Sequence, residues 1–255
     1  MVVTMVEKRF IGLIPAAGKG QRLGLPYPKE LYPIISDGVY KPVAQFVMDA
    51  ILAAGVKHIA FVINETKHQL IGFFGSGKRF NAEISYVYQE NPTDGVSTSP
   101  GLATALSSAY HLIKDHVVLF GMPDTIMEPT DALKIGLDRF DPTAEDVLLC
   151  LFPTKYPEKF GMVETDASNR VIQVVDKPAE TELKYMWGCI IWGPKFTEFL
   201  NESVNLKGIS DFATILNRAI NAKLKIKSVE FPDGRFEDFG TYEQIIEFRQ
   251  DTRIP

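Results

Sequence analysis

The sequence of 255 residues contains few of the side chains that build zinc centres or disulfide scaffolds, with two cysteines and four histidines. No His/Cys spacing indicates a zinc site, because the histidines lie on or beside ordinary helical and strand patterns. Cys150 and Cys189 both lie inside apolar runs. This pattern predicts two buried free thiols, which suit a reducing compartment.

Long apolar runs are also absent. No stretch approaches the roughly 20 apolar residues that a membrane-spanning helix requires. The start of the chain, "MVVTMVEKRF", places its charges after a very short apolar piece, which is the reverse of a secretory signal. The net charge of −5 argues against a general affinity for nucleic acid or a membrane surface. We therefore expect a cytoplasmic protein that binds neither nucleic acid nor membrane.

The chain has no proline- or serine-rich linker and no internal repeat, which predicts one domain over residues 1–255, with an N-terminal half to about residue 152. In this half, apolar strand patterns alternate with helical patterns. The strand patterns cover 9–16, 58–63, 83–89, 116–121 and 146–152, and the helical patterns cover 42–55, 65–75, 100–113 and 129–140. The alternation predicts an α/β fold with a doubly wound, mostly parallel central sheet.

The C-terminal part, from about residue 153, has a different pattern. Residues 160–193 contain strand patterns with no helix between them, which predicts antiparallel additions that extend or flank the sheet. Helical patterns follow at 194–203, 209–222 and 241–249, and a strand pattern lies at 223–231. Ligands of such sheets bind beyond the carboxyl ends of the strands, so residues just after strands are the functional candidates.

Glycine and positive charge are concentrated after the first strand, in "AAGKGQRLG" and the following "LPYPKELYP". No Gly-Lys-Ser/Thr closes a Walker A loop, and Gly24 comes one residue late for a dinucleotide fingerprint. Gly18 and Gly20 can direct backbone N–H groups at phosphate oxygens, while Arg22 offers a planar fork and Lys29 a compact ammonium. The stretch predicts a polyphosphate site; a surface turn with solvated cations is the alternative.

The same stretch, "LIPAAGKGQRLG" followed by "PKELYPI", resembles the signature of the sugar-phosphate nucleotidylyltransferases. Their pattern is a strand, then G-x-G-x-R, then a Pro-Lys pair. The resemblance implies the nucleotide-diphospho-sugar transferase fold and Mg²⁺-dependent transfer of a nucleotidyl group from a nucleoside triphosphate to a sugar 1-phosphate. It favours thymidine or uridine triphosphate as donor and glucose 1-phosphate as acceptor.

The resemblance also assigns the nucleotide side of the site. Arg22 and Lys29 take the catalytic positions. Gln89 ends the strand "EISYVYQ", where related enzymes read a pyrimidine edge, although an exposed strand end is the alternative. The implied nucleotide contacts are Ala16, Ala17, Gly18, Gly20, Gln89 and Gly101. The insertion "ENPTDGVSTS" at 90–99 is either a lid or the source of the family's glycine segment.

Two aspartates follow strands at the predicted sheet edge. Asp124 comes after the buried strand pattern 116–121, and Asp238 precedes a Gly-Thr pair. The resemblance implies that both are Mg²⁺ ligands, and Mg²⁺ binds a few carboxylates together with phosphate oxygens and water. A turn aspartate and a helix-capping acid are the alternatives. Met122 and Pro123 replace the glycine that the family usually places before the first aspartate.

The segments "FGMVETD" and "RVIQVVDKPAE" resemble the family's Gly-Val-Val-Glu strand and Glu-Lys-Pro motif. Carried over position by position, the resemblance implies that the sugar phosphate contacts Gly161, Glu164, Asp176, Lys177 and Gly188. Aspartate stands at position 176 where the family usually has glutamate, and a bulky tryptophan precedes the last glycine. A hairpin glycine, a solvated acid and a lysine before a turn proline are the structural alternatives.

Other functions stay open at this point. The short gap between Arg22 and Lys29 is also typical of cytidylyltransferases acting on alcohol phosphates. A glycosyltransferase of similar architecture usually carries Asp-x-Asp, whereas "PDTIM" offers only Asp124. An inactive nucleotide-sensing module is a third class. A homo-oligomer is compatible with these features.

Overall fold

The computed structural model describes residues 9–20, 23–36, 38–90 and 101–251. Its strands are β1 (Phe10–Pro15), β2 (Pro33–Ser36), β3 (Val39–Pro42), β4 (His58–Ile63), β5 (Glu83–Tyr88), β6 (Val117–Gly121), β7 (Thr125–Glu128), β8 (Val147–Pro153), β9 (Gly161–Thr165), β10 (Val171–Asp176), β11 (Tyr185–Trp192), β12 (Ile226–Glu230) and β13 (Arg235–Asp238). Its helices are α1 (Val43–Ala53), α2 (His68–Phe74), α3 (Leu102–Ser108), α4 (Tyr110–Ile113), α5 (Ala132–Arg139), α6 (Pro194–Asn205), α7 (Phe212–Asn221) and α8 (Tyr242–Asp251). Within these ranges, none of the helices is long and apolar enough to cross a bilayer.

The central sheet is mixed. Its strands follow the order β12-β8-β11-β6-β1-β4-β5, and β9 pairs with the start of β11 and with β10. The pairs β1–β4, β1–β6, β4–β5 and β8–β12 are parallel, whereas every pair made by β11 is antiparallel. The predicted fold class is confirmed, with one correction of position: β11 lies inside the sheet, between β6 and β8, because its apolar residues need cover on both faces.

Helices cover the sheet on both faces. Residues alternate along β1, so that Ile11 and Leu13 join the apolar cluster with α3, α6 and α7, while Ile14 joins the cluster with α1, α2 and α5. All three side chains are fully buried. Burial on both faces explains why the strand patterns in the N-terminal half are almost continuously apolar.

Local sequence determines where several helices begin. The carboxylate of Asp211 accepts a hydrogen bond of 2.7 Å from the backbone N–H of Thr214 and so caps α7. Pro194 opens α6 at the position where a missing N–H costs nothing. The helical pattern at 100–113 is two helices, because the backbone at Ala109 leaves the helical region with ψ of 2°.

The sequence analysis did not predict two short antiparallel pairs, β2–β3 and β7–β13. The second pair determines the position of the candidate metal ligands. It places Asp238 directly opposite Thr125, the residue after Asp124. Two aspartates that are far apart in the sequence therefore lie beside each other.

Gly121→Ala is expected to lower the free energy of unfolding by about 1–3 kcal/mol, since overpacking a filled site costs that much. A Cβ on Gly121, the last residue of β6, would lie 2.4 Å from Cγ2 of Val47. Gly72→Ala in α2 is the matched control, because a Cβ there meets nothing within 4 Å. Thermal and urea unfolding measure both variants, and equal stability of Gly121→Ala and the wild type would contradict the packing described.

Candidate active site

The site lies where parallel strands end. β4, β1 and β6 are adjacent and parallel, so the segments after them meet at one edge of the sheet. These segments are the loop at 16–20, the turn at 64–67 and residues 122–124. Each of these segments carries a polar group.

The loop after β1 is held by its neighbour. The backbone N–H of Ala16 donates to the carbonyl of Val62 at 2.7 Å, and the carbonyl of Ala17 accepts from the Asn64 side chain at 2.5 Å. Gly20 has φ of +62°, a conformation that glycine adopts without steric cost. A Cβ on Gly18 would meet nothing within 4 Å, so this backbone is open to a ligand. Arg22 and all of the 90–99 insertion except Glu90 lie outside the described residues.

Lys29 and Asp124 form an ion pair beside this loop. The Lys29 ammonium, on the short turn Lys29–Leu31, donates to Oδ2 of Asp124, and the two side chains are 16% and 7% exposed. Burial acts to lower the pKa of Lys29, but the charge and hydrogen bond of Asp124, together with the charges of Glu30 and Asp238, outweigh it and hold that pKa above its ordinary value. The ammonium therefore keeps its charge at neutral pH.

Asp238 joins this pair. The backbone N–H of Phe239 donates to the carbonyl of Asp124 at 2.8 Å, and Oδ1 of Asp238 accepts from the N–H of Gly240 at 2.8 Å. Burial raises the pKa of Asp238, and the nearby charge of Asp124 raises it further. Two partly buried carboxylates that repel each other favour a bound cation.

One cavity of about 290 Å³ brings together six of the predicted site residues. The predicted site residues on its wall are Lys29, Asp124, Gly161, Asp176, Lys177 and Asp238. Glu164 and Gly188 are not on this wall. Among the described residues, no three His, Cys, Asp or Glu side chains are grouped to hold a metal. Two carboxylates still fit Mg²⁺, which takes its remaining ligands from phosphate and water.

The cavity wall where the sequence resemblance predicts sugar-phosphate contacts is built by β9, β10 and β11. Lys177 has φ of +46° and its ammonium lies 2.9 Å from Oδ2 of Asp176. A Cβ on Gly161 would lie 2.4 Å from Nε1 of Trp187, so the tryptophan fills the space that this glycine leaves. A Cβ on Gly188 would lie 2.7 Å from atoms of two phenylalanine rings. Both glycines therefore have a packing role.

Gln89 and Gly101, which the sequence resemblance predicts as nucleotide contacts, lie on either side of the residues 91–100 that the structure does not describe. Gln89 is 5% exposed, and its Nε2 is buried without a partner among the residues that the structure describes. A buried amide donor without a partner is costly, and a ligand oxygen would satisfy it. Gly101 begins α3, where a Cβ would lie 2.5 Å from the carbonyl of Ser210. Neither residue is on the wall of the 290 Å³ cavity.

Sequence reasoning missed several residues at the site. Lys159 lines the 290 Å³ cavity, and its closeness in sequence to Gly161 was the only available signal. A second cavity of about 190 Å³ lies at the loop and shares Lys29 with the first. Lys67, on the wall of the second cavity, carried no motif signal.

The chain is similar to known proteins along most of its length. A family profile described as nucleotidyl transferase matches residues 11–253. The low-salt glycan biosynthesis nucleotidyltransferase Agl11 of Haloferax volcanii is 23% identical over 247 residues, which are 94% of this chain and 65% of that protein. A glucose-1-phosphate thymidylyltransferase of Streptomyces griseus is 25% identical over 245 residues, which are 92% of this chain and 64% of that protein. The chain thus spans just under two thirds of each relative's length.

Solved structures share the fold. A UDP-glucose pyrophosphorylase complexed with UDP-glucose matches with a TM-score of 0.77 at 22% identity, covering 95% of this chain and 98% of that chain. The UTP-bound UGPase from Acinetobacter baumannii matches with a TM-score of 0.72 at 15% identity, covering 96% and 95%. The predicted fold type is confirmed.

Proposed function

The chain belongs to the nucleotidyl transferase family, and from this premise we propose that it transfers a nucleotidyl group from a nucleoside triphosphate to a sugar 1-phosphate. One observation carries the proposal: Lys29, Asp124 and Asp238 share a cavity with Asp176 and Lys177. The first three suit a phosphorus centre under attack, and the last two suit a phosphorylated acceptor. Glucose-1-phosphate thymidylyl- and uridylyltransferases among the relatives support this reaction class.

In this reaction a phosphate oxygen of the acceptor attacks the α-phosphorus of the donor, the new P–O bond forms, and pyrophosphate leaves with the electrons of the broken bond. Both reactants are anionic, so catalysis depends on in-line positioning and charge neutralisation. The Lys29 ammonium neutralises donor oxygens, and the open backbone at Gly18, with the left-handed turn at Gly20, binds phosphate through N–H groups. Lys177 holds the acceptor phosphate. We assign Arg22 a second contact with the donor triphosphate because of its position in the motif.

Asp124 and Asp238 would hold the Mg²⁺ that we propose as cofactor. Burial and then the charge of Asp124 raise the pKa of Asp238, and a cation between the two carboxylates would offset both effects. When bound, Mg²⁺ neutralises charge on the triphosphate and on the leaving pyrophosphate. Lys29, which is paired with Asp124 in this structure, lies close enough to neutralise charge on the same phosphates.

We propose thymidine or uridine triphosphate as the donor and glucose 1-phosphate as the acceptor. The unpartnered Nε2 of Gln89 supports a base contact, because an amide donor can reach a pyrimidine carbonyl. The names of relatives support the sugar. We also infer a cytoplasmic location, supported by Cys150 and Cys189, which are free thiols facing each other across β8 and β11.

The test is a matrix of four nucleoside triphosphates against several sugar 1-phosphates and alcohol phosphates, scored by release of pyrophosphate with and without Mg²⁺. The proposal predicts Mg²⁺-dependent release with thymidine or uridine triphosphate and glucose 1-phosphate. Release only with cytidine triphosphate and an alcohol phosphate would replace these substrates. Release with no pair at all would refute the proposed activity.

Lys177→Ala is expected to raise the KM for the sugar 1-phosphate about 10-fold or more, since a charged hydrogen bond contributes roughly 1.5–3 kcal/mol. The ammonium lies at the cavity and is 59% exposed, so its loss should leave the fold intact. Initial rates at varied acceptor and varied donor separate the two effects. A rise confined to the KM of the triphosphate would contradict the assignment of Lys177.

A further inference from the structure

A buried ion pair outside the residues assigned so far lies directly behind Lys29. The ammonium of Lys67 lies 2.9 Å from each carboxylate oxygen of Glu30, and the two side chains are 2% and 1% exposed. Moving two charges out of water costs several kcal/mol per ion, and an apolar pair of the same volume is often as stable. Stability alone therefore explains this pair poorly, and its position in the fold suggests another role.

Glu30 is the next residue after Lys29 on the same short turn, Lys29–Leu31. This turn is a single 3₁₀ turn whose preceding residue, Pro28, makes no side-chain cap. Such a short element has little stability of its own. The ion pair with Lys67 ties the turn to the segment after β4 and so restricts where the neighbouring Lys29 side chain can point.

The segment after β4 contacts both the loop at 16–20 and the turn Lys29–Leu31. Asn64 accepts from the N–H of Thr66 at 3.0 Å and donates to the carbonyl of Ala17 at 2.5 Å, so it fixes the start of the loop. Three residues on, Lys67 fixes Glu30. Its ammonium lies 3.7 Å from the position of a Cβ on Gly20, and the side chain of Lys29 lies 3.8 Å from the same point.

The charges support a positioning role rather than direct contact with substrate. Lys67 lies on the wall of the 190 Å³ cavity, but its ammonium is already engaged by both oxygens of Glu30. Burial raises the pKa of Glu30, and the Lys67 charge opposes that rise. The Lys67 charge thus favours the charged form of Glu30, and Lys29 remains the cation that faces Asp124.

We propose that Lys67 is a positioning residue for nucleotidyl transfer: through its ion pair with Glu30 it fixes the turn Lys29–Leu31 and aims the Lys29 ammonium at the triphosphate. The inference rests on the proposed function. In this proposal Lys67 affects the rate by orienting Lys29 and does not contact the acceptor.

The test is a mutant cycle in the full chain. The double variant Glu30→Met/Lys67→Met replaces the pair with apolar side chains and leaves no buried charge alone. We expect its kcat for pyrophosphate release to fall about 10- to 100-fold, the cost of misplacing a group near the chemistry. The KM of the sugar 1-phosphate should change less than about threefold. Circular dichroism and the melting temperature check the fold.

The same double substitution is then made in Lys29→Ala. If Lys67 acts through Lys29, this background should lose less than a further threefold in rate, because residues in one network are not additive. Losses that multiply would overturn the inference. Glu30→Gln, which keeps the shape of the pair, is the second variant and should show a smaller fall in kcat; unchanged kcat in folded variants would also overturn it.

A control is the ion pair of Lys227 on β12 with Glu145 before β8, 3.3 Å apart, at the end of the strands opposite to Asp124; its side chains are 49% and 8% exposed. Lys227→Met/Glu145→Met should leave kcat unchanged. Affinity for uridine triphosphate, measured by calorimetry on the same variants, gives a readout that needs no acceptor. Wild-type protein without turnover would refute the proposed function, whereas turnover with additive losses would refute only the role of Lys67.

Discussion

Lys29→Ala is expected to lower kcat for pyrophosphate release about 100- to 1,000-fold, the range found when one donor that stabilises transition-state charge is removed. The reason is position. The Lys29 side chain is 16% exposed and keeps its charge beside Asp124. It lines both the 190 Å³ cavity at the loop after β1 and the 290 Å³ cavity. Initial rates at saturating substrates measure the effect.

The control for this substitution is Lys134→Ala on the exposed face of α5, where Lys134 pairs with Asp138. Exposed pairs of this kind contribute little, so the control should keep wild-type rates and stability. Binding of Mn²⁺ to Lys29→Ala should persist, because the two carboxylates remain. Wild-type-like turnover of a folded Lys29→Ala would remove Lys29 from the mechanism.

Asp124→Asn is expected to lower Mg²⁺-dependent activity at least about 100-fold, because charge stabilisation by a bound metal contributes several kcal/mol. The substitution removes one of the two proposed metal-binding carboxylates and also the charged partner of Lys29. Titration of activity with Mg²⁺ should show a much weaker apparent affinity. Asp138→Asn, on the exposed face of α5, is the matched control and should titrate like the wild type.

An unchanged metal titration of Asp124→Asn would refute its role as a ligand. The pH dependence gives a second check, through Asp238. Because burial and Asp124 raise the pKa of Asp238, its protonated form persists to higher pH than in an ordinary aspartate. Metal affinity should therefore fall as the pH drops through this raised pKa, and recover above it.

The strands that carry the site could be predicted from the sequence because each is a strongly apolar run. The run at 116–121 predicted β6, and Asp124 follows from it as a residue at the carboxyl edge. The glycines and cations after β1 predicted an anion site by composition alone. Each of these signals is local, because it lies within one short segment of the sequence.

Features formed between distant segments could not be predicted in this way. The pairing of β7 with β13 depends on two strands of four residues each, too short for a clear alternation, yet it brings Asp238 to Asp124. The Lys67–Glu30 pair joins residues 37 positions apart, and each side chain alone resembles an ordinary surface charge. The apolar run of β11 indicates a buried strand, but its own sequence does not indicate that β6 and β8 are its partners.

The central claim is that Asp124 and Asp238 act as one cation site beside the donor phosphates and Lys29. Binding of Mn²⁺ in the presence of uridine triphosphate, followed by electron paramagnetic resonance in the wild type, Asp124→Asn and Asp238→Asn, tests it most directly. The account predicts that each substitution alone weakens Mn²⁺ binding at least about 10-fold, since each removes one of only two protein ligands. Wild-type affinity in either variant would contradict it.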